Sequence, residues 1–182
     1  DLPFGQMVKS AFAKAIADGW QISSVTQIQG GFPFEVRLGA NSAHAAPSGA
    51  GNTHPDWAAP SALCPNPTAE GAINKGNITN FVNASCFAIP ASGYLGNVGS
   101  LVLTGPGTWQ SDLSLKRNIT VREGILLHLT GDMFNAFNRT NLAPPDQTTV
   151  YTTSLGPNTT VGQINRTIST SRQSQIGVRL PF

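Results

Sequence analysis

Charge is scarce in this sequence. Of its 182 residues, 11 are Lys or Arg and 9 are Asp or Glu, about half the charged share usual in globular proteins. The net charge of +2 is scattered, with no basic run and no interleaving of aromatic and basic residues, which excludes a nucleic-acid surface. No apolar run reaches the length of a transmembrane helix. No basic start followed by an apolar middle marks a leader. The chain opens at Asp1-Leu2-Pro3-Phe4-Gly5 and is expected to be a mature fragment or a processed product. Cysteine is limited to Cys64 and Cys86, without the CxxC or Cys/His spacing that zinc requires. In an extracytoplasmic protein the two are expected to pair, closing a loop worth about 3 kcal/mol.

The marks of catalysis are also missing. There is no GxSxG elbow and no Ser/His/Asp set in a readable order. Gly105-Pro106-Gly107 lacks the Lys-Ser/Thr that follows a phosphate loop. Carboxylates are too few and dispersed to form an acid/base pair. His44, His54 and Asp56 fall close together, but their spacing is irregular and no apolar strand frames them, so they read as ordinary loop polarity. No enzyme, cofactor or metal is expected.

What is abundant is glycine (19), proline (13) and the neutral polar residues Asn, Gln, Ser and Thr. The informative pattern is alternation, which appears four times. From Trp109 to Val121 the odd positions are Trp109, Ser111, Leu113, Leu115, Arg117, Ile119 and Val121. The even positions, Gln110, Asp112, Ser114, Lys116, Asn118 and Thr120, include no apolar residue. Strand side chains alternate between faces, so this segment has one oily face and one polar face. After a turn at Arg122-Glu123-Gly124, Ile125, Leu127, Leu129, Gly131 and Met133 alternate with residues that include His128, Thr130 and Asp132. The two runs make an antiparallel hairpin.

A longer run covers Trp20 to Leu38, with Trp20, Ile22, Ile28, Phe32, Phe34, Val36 and Leu38 in phase. A membrane is crossed by about 9–11 tilted strand residues, so this run projects beyond one, with a bend or bulge at Gly30-Gly31 and Pro33. The last run sets Ser174, Ile176, Val178, Leu180 and Phe182 against Gln173, Gln175, Gly177 and Arg179. Between the strands lie long Gly/Pro/Asn-rich stretches at about 40–108 and 138–170, lengths that in compact domains are usually functional. A short Ala-rich segment from Met7 to Asp18 is a candidate helix ended by Gly19.

Alternating strands also build soluble sandwiches. Two features favour a barrel: polar faces rich in Gln, Ser, Asn and Thr, as a watery lumen requires, and a final strand spaced by two back from a terminal Phe. The aromatics Trp20, Phe32, Phe34, Phe87 and Trp109 suit either a membrane–water belt or a soluble core. Both readings stand at this point. His128 and Asp132 share a strand face and read as solvated lumen residues. Six Asn-x-Ser/Thr triplets begin at Asn77, Asn83, Asn118, Asn138, Asn158 and Asn165.

A resemblance rests on several of these stretches. They are Leu2-Pro-Phe-Gly5, Gly19-Trp-Gln-Ile-Ser23, Gly31-Phe-Pro-Phe34, Phe81-Val-Asn-Ala-Ser-Cys-Phe87 and Tyr94-Leu-Gly-Asn97. They continue through Gly105-Pro-Gly107 leading to Ser111-Asp-Leu-Ser-Leu115, Asp132-Met-Phe-Asn-Ala-Phe-Asn138, Gln163-Ile164 and Gln175-Ile-Gly-Val-Arg-Leu-Pro-Phe182. In this order they resemble the C-terminal end of the large TonB-dependent receptors that carry a carboxypeptidase-regulatory-like N-terminal domain, the Oar-like group. The resemblance implies a bacterial outer-membrane or cell-surface location and a non-catalytic receptor or transporter. Its terminal strand is similar to the signal read by the barrel-insertion machinery, a role that falls on Ile176, Val178, Leu180 and Phe182. It also implies that strands at about 20–38, 109–121, 124–137 and 172–182 run alternately up and down. The long stretches then become extracellular loops, placing Cys64 and Cys86 in an oxidising compartment. In a bacterial protein the six sequons are expected to be unmodified.

The expected fold is all-β, a single unit over 1–182. It is an antiparallel meander of about four long strands from an outer-membrane-type barrel, with two long loops. The smallest membrane barrels use eight strands, so this open sheet needs further strands from other chain segments or from copies of itself. A second expectation follows from those open edges: a surface structural protein whose copies assemble into a homo-oligomer or filament.

Overall fold

The computed structural model describes residues 18–39, 53–122 and 125–181. Leu2–Gly5, His44, Phe182 and all but the last residue of the candidate helix at 7–18 lie outside the described residues. Among the described residues ten strands form: β1 (Trp20–Gln29), β2 (Pro33–Phe34), β3 (Arg37–Leu38), β4 (Asp56–Trp57), β5 (Phe87–Ala88), β6 (Leu103–Thr104), β7 (Thr108–Arg122), β8 (Ile125–Phe134), β9 (Thr149–Tyr151) and β10 (Gln173–Arg179). The fold is all-β, with a single 3-10 turn at Ala84–Cys86 among the described residues.

The long strands make one open sheet in the order β1-β7-β8-β10. The β7–β8 hairpin closes tightly, pairing Leu113 with Met133, Arg117 with Leu129 and Arg122 with Ile125. β10 lies antiparallel on the far side of β8, with Ser174 opposite Met133 and Arg179 opposite His128. Alternation and register together sort the side chains. Leu113, Leu115, Ile119, Leu127, Leu129, Met133, Ile176 and Val178 share one face with Trp20, Ile22 and Ile28. That face is open: Ile28 is 76% exposed and Ile176 87%. Ser24, Thr26, Ser111 and Ser174 interrupt it, and Thr26 Oγ1 lies 2.9 Å from Ser111 Oγ. Arg117, the charge on this face, stacks on Trp20 at 5.3 Å.

β8 is followed by Asn135, whose φ of +48° lies in the left-handed region that Asn tolerates better than most residues. Its backbone N–H donates to Asp112 Oδ1 (2.9 Å). Its side-chain amide donates to the carbonyls of Arg139 (3.0 Å) and Thr170 (2.9 Å). Asn138, also at positive φ, accepts from Arg172 N–H. This one turn therefore ties the end of β8 to the approach to β10.

The chain divides into two compact units, where the sequence reading treated 1–182 as one. The sheet belongs to the unit formed by 1–28, 109–140 and 169–182; the other comprises 29–108 and 141–168. The second unit gathers the two long stretches around their own core. The reading expected one strand across 20–38, but β1 stops at Gln29. A Cβ at Gly31 would overlap the carbonyl oxygen of Gly105, so the backbones meet where only glycine fits. Beyond that point Phe34, Val36 and Leu38 become fully or nearly buried.

Three two-stranded ladders brace this unit: β2 with β6, β3 with β9 in parallel, and β4 with β5. The core holds Phe34, Val36, Phe81, Val82, Phe87, Leu103 and Val150, with both cysteines. Cys64 and Cys86 are joined in a disulfide. Gly162, at φ +77°, packs so closely on Val82 that a Cβ would overlap its backbone nitrogen. Over 53–108 and 141–168 the long stretches are thus a packed structure with many turns, in place of free loops.

Candidate functional site

Two surfaces have the character of sites. The first is the polar face of the sheet. Three consecutive rows cross β7, β8 and β10: Ser114–Asp132–Gln175, Lys116–Thr130–Gly177 and Asn118–His128–Arg179. Ser114 Oγ donates to Asp132 Oδ1 at 2.6 Å, and Gln175 Nε2 reaches Asp132 Oδ2 at 3.3 Å. His128 Nδ1 lies 2.6 Å from Asn118 Oδ1, within hydrogen-bond distance. Gln110 donates to Asp112 Oδ1 at 3.1 Å. Val25, Leu126 and Phe134 are the apolar exceptions on this side. A face of this kind holds water and polar solutes, while its reverse requires oil.

The second surface is a cavity of about 520 Å³ in the other unit, within the range of small-molecule pockets. Ile73, Ile78, Phe81, Val102 and Leu142 supply an apolar lining, and Glu70 and Lys75 stand at its edge, 3.6 Å apart. In the same unit, Tyr151 donates its hydroxyl to the Phe87 carbonyl at 2.9 Å, and burial raises its pKa above the ordinary 10.0.

The residues singled out from sequence divide between these units. Phe34 and Phe87 are core residues of the second unit, and Phe32 lies there 44% exposed. Trp20 and Trp109 stand near opposite ends of the sheet's apolar face. Trp109 packs on Phe137 at 5.2 Å with Arg139 above it at 5.8 Å. Ile176 and Val178 point from β10 on the same face, and Leu180 follows, 52% exposed.

His54 and Asp56 serve local structure. His54 lies 3.2 Å from both the Val36 carbonyl and Ser100 Oγ, and Asp56 accepts from Asn97 N–H. Several sequon asparagines are likewise engaged. Asn83 and Asn158 donate their amides to the carbonyls of Leu63 and Thr149. Asn77 accepts from Thr79 and Asn80 N–H.

Sequence reasoning missed the cavity and the pivotal role of Asn135. The only signal for the latter was its place within the Asp132–Asn138 stretch.

No curated protein and no solved structure matches the chain significantly. A family profile described as the outer membrane beta barrel domain matches residues 1–175. That match agrees with a sheet apolar on one side and polar on the other, open at both edges among the described residues and placed by this membership in the bacterial outer membrane. The chain belongs to the outer membrane beta barrel domain family.

Proposed function

We propose that the chain is a non-catalytic part of a TonB-dependent outer-membrane receptor. It contributes strands to the barrel wall and a folded, substrate-contacting loop unit on the outside of the cell. The observation that carries this reading is topological. Both long connections, β1 to β7 and β8 to β10, leave the same end of the sheet, whereas β7 and β8 join by a tight turn at the other end. Outer-membrane barrels keep short turns on the periplasmic side and long loops outside. In this orientation the apolar face meets lipid and the polar face meets the lumen. Trp20 with Arg117 and Trp109 with Phe137 form belts at the two interfaces. From Trp109 to Arg117 the strand spans about 27 Å, and a barrel's tilt of about 40° brings this close to the height of the apolar band. Ile176, Val178, Leu180 and Phe182 act as the insertion signal. The cavity beside Ile78 and Val102 is where the loop unit meets its substrate.

The test is made on the intact protein in its own outer membrane. Lys75, exposed on the loop unit, should react with an impermeant amine reagent on whole cells. The protein should also cross-link to the energy-coupling protein of the inner membrane. Surface labelling without that cross-link would leave an outer-membrane barrel and reject the TonB-dependent reading.

A second reading is favoured by the open edges, since neither β1 nor β10 has an outer neighbour among the described residues. In it, many copies pair edge to edge in a surface assembly. Particle mass separates the two: a detergent-bound monomer supports the receptor, and a detergent-free assembly of many copies supports the second reading.

A further inference from the structure

The polar face of the sheet is electrically divided along its length. Asp112 and Asp132 lie toward the end from which the long connections leave. Lys116, His128 and Arg179 lie toward the tight turn. The acids are already engaged: Asp132 accepts from Ser114 and Gln175 and feels the charge of Lys116 one row away, and Asp112 accepts from Gln110 and the Asn135 N–H. Among the described residues, neither Lys116 nor Arg179 takes part in a salt bridge. Both side chains are exposed.

The register brings these cations around one spot. Lys116 is opposite Thr130, Thr130 opposite Gly177, and His128 opposite Arg179. Strand spacing and rise put the Cα atoms of Lys116 and Arg179 about 12 Å apart, a gap that two long side chains can close from either side. Next to Lys116, on β8 and β10, the sheet is hollowed. A depression of about 340 Å³ is lined by His128, Thr130, Gly177, Val178 and Arg179. Its floor is low because residue 177 has no side chain, and a Cβ there would collide with Thr130 Oγ1.

We propose that this depression binds an anionic solute, holding its carboxylate or phosphate group between Lys116 and Arg179 above Thr130 and Gly177. The proposal rests on the polar face lining the lumen. Arg179 offers the planar fork that matches a carboxylate or phosphate edge, and Lys116 supplies a mobile point charge. The asymmetry of the wall gives the site a direction. An anion entering past the satisfied acids meets net positive charge only near the periplasmic end.

The experiment uses the intact barrel purified from outer membranes in detergent. Equilibrium dialysis at constant ionic strength measures binding of inorganic phosphate and of succinate, with glucose as the neutral control. Saturable binding of at least one anion, and none of glucose, is expected. Lys116→Gln and Arg179→Gln should each weaken it about tenfold, the loss of one charge-assisted hydrogen bond. Arg179→Lys should recover part of that loss. Arg166→Gln, on the other unit and outside its cavity, should change nothing. Absence of saturable binding, or an unaltered affinity in the Lys116→Gln/Arg179→Gln double variant, overturns the proposal. An acidic side chain from elsewhere in the barrel occupying the patch would leave both anions unbound and overturn it too. Heat-modifiable mobility on gels is recorded for every sample. A barrel that forms but binds no anion removes this site alone, whereas a protein that forms no barrel removes the lumen reading with it.

Discussion

Asn135 does more than any other single side chain to terminate the hairpin in order. It combines a left-handed backbone with amide bonds to two carbonyls and accepts from Arg139 N–H at 2.9 Å. Replacing it with Ala forfeits these bonds and leaves a Cβ in a backbone region that costs about 1–2 kcal/mol. Asn135→Ala is therefore expected to lower stability by about 3 kcal/mol, seen as a reduced midpoint of heat unfolding in detergent. Asn135→Gly should recover the backbone share alone. The stretch containing Asn135 stood out in the sequence only through resemblance. One of its partners, Thr170, lies 35 residues away, and no local pattern announces such a bond.

Tyr151 gives a second prediction at this scale. Its folded pKa is raised by burial from an unfolded value near 10.0, so folding favours the neutral phenol. The stabilisation it contributes is complete below pH 10.0 and is lost as pH rises from there through the folded value. Ultraviolet titration of the protein against Tyr151→Phe should give a difference curve with its midpoint above 10.0. A midpoint at or below that value would show the phenol to be solvated.

At the scale of elements, the strands were legible where one side meets oil and the other meets water. β7, β8 and β10 carry that contrast through most of their length, with an inward-facing Leu126 and Phe134 as exceptions. β1 was harder to delimit, because the same alternation of Phe34, Val36 and Leu38 serves a different core beyond Gly31. Periodicity reports which residues share a face, but not what covers it.

Neighbouring positions on β7 test the assignment of faces. Leu115→Lys puts a cation on the lipid side and should cost about 2–4 kcal/mol near the bilayer midplane. Ser114→Lys puts the same cation beside Asp132 on the other side and should be nearly neutral. Folding into lipid vesicles, followed by tryptophan fluorescence, measures both. Equal penalties at the two positions would contradict the division into lipid and lumen faces.

At the scale of the molecule, the two units depend on different solvents. The sheet's apolar face requires lipid, while the second unit buries its own core and locks it with Cys64–Cys86. Reducing that bond, or making Cys64→Ser/Cys86→Ser, should destabilise the second unit by about 3 kcal/mol and leave the sheet in place. Limited proteolysis with mass readout should then show new cuts within 53–108 and 141–168 and none within 109–134. Cuts appearing equally in both units would show that they unfold together.

The sequence by itself determined the two-faced strands, the tight hairpin and the polar character of one wall. These follow from side-chain order at a period of two, which the backbone imposes on any strand. Only the tertiary structure decided that the long stretches share a core and enclose a cavity. It also decided which aromatics leave the sheet, and that Lys116, Thr130 and Gly177 fall in one row across three strands. Those outcomes depend on contacts between residues far apart in the chain, where close backbone approach and register choose partners that no local repeat encodes.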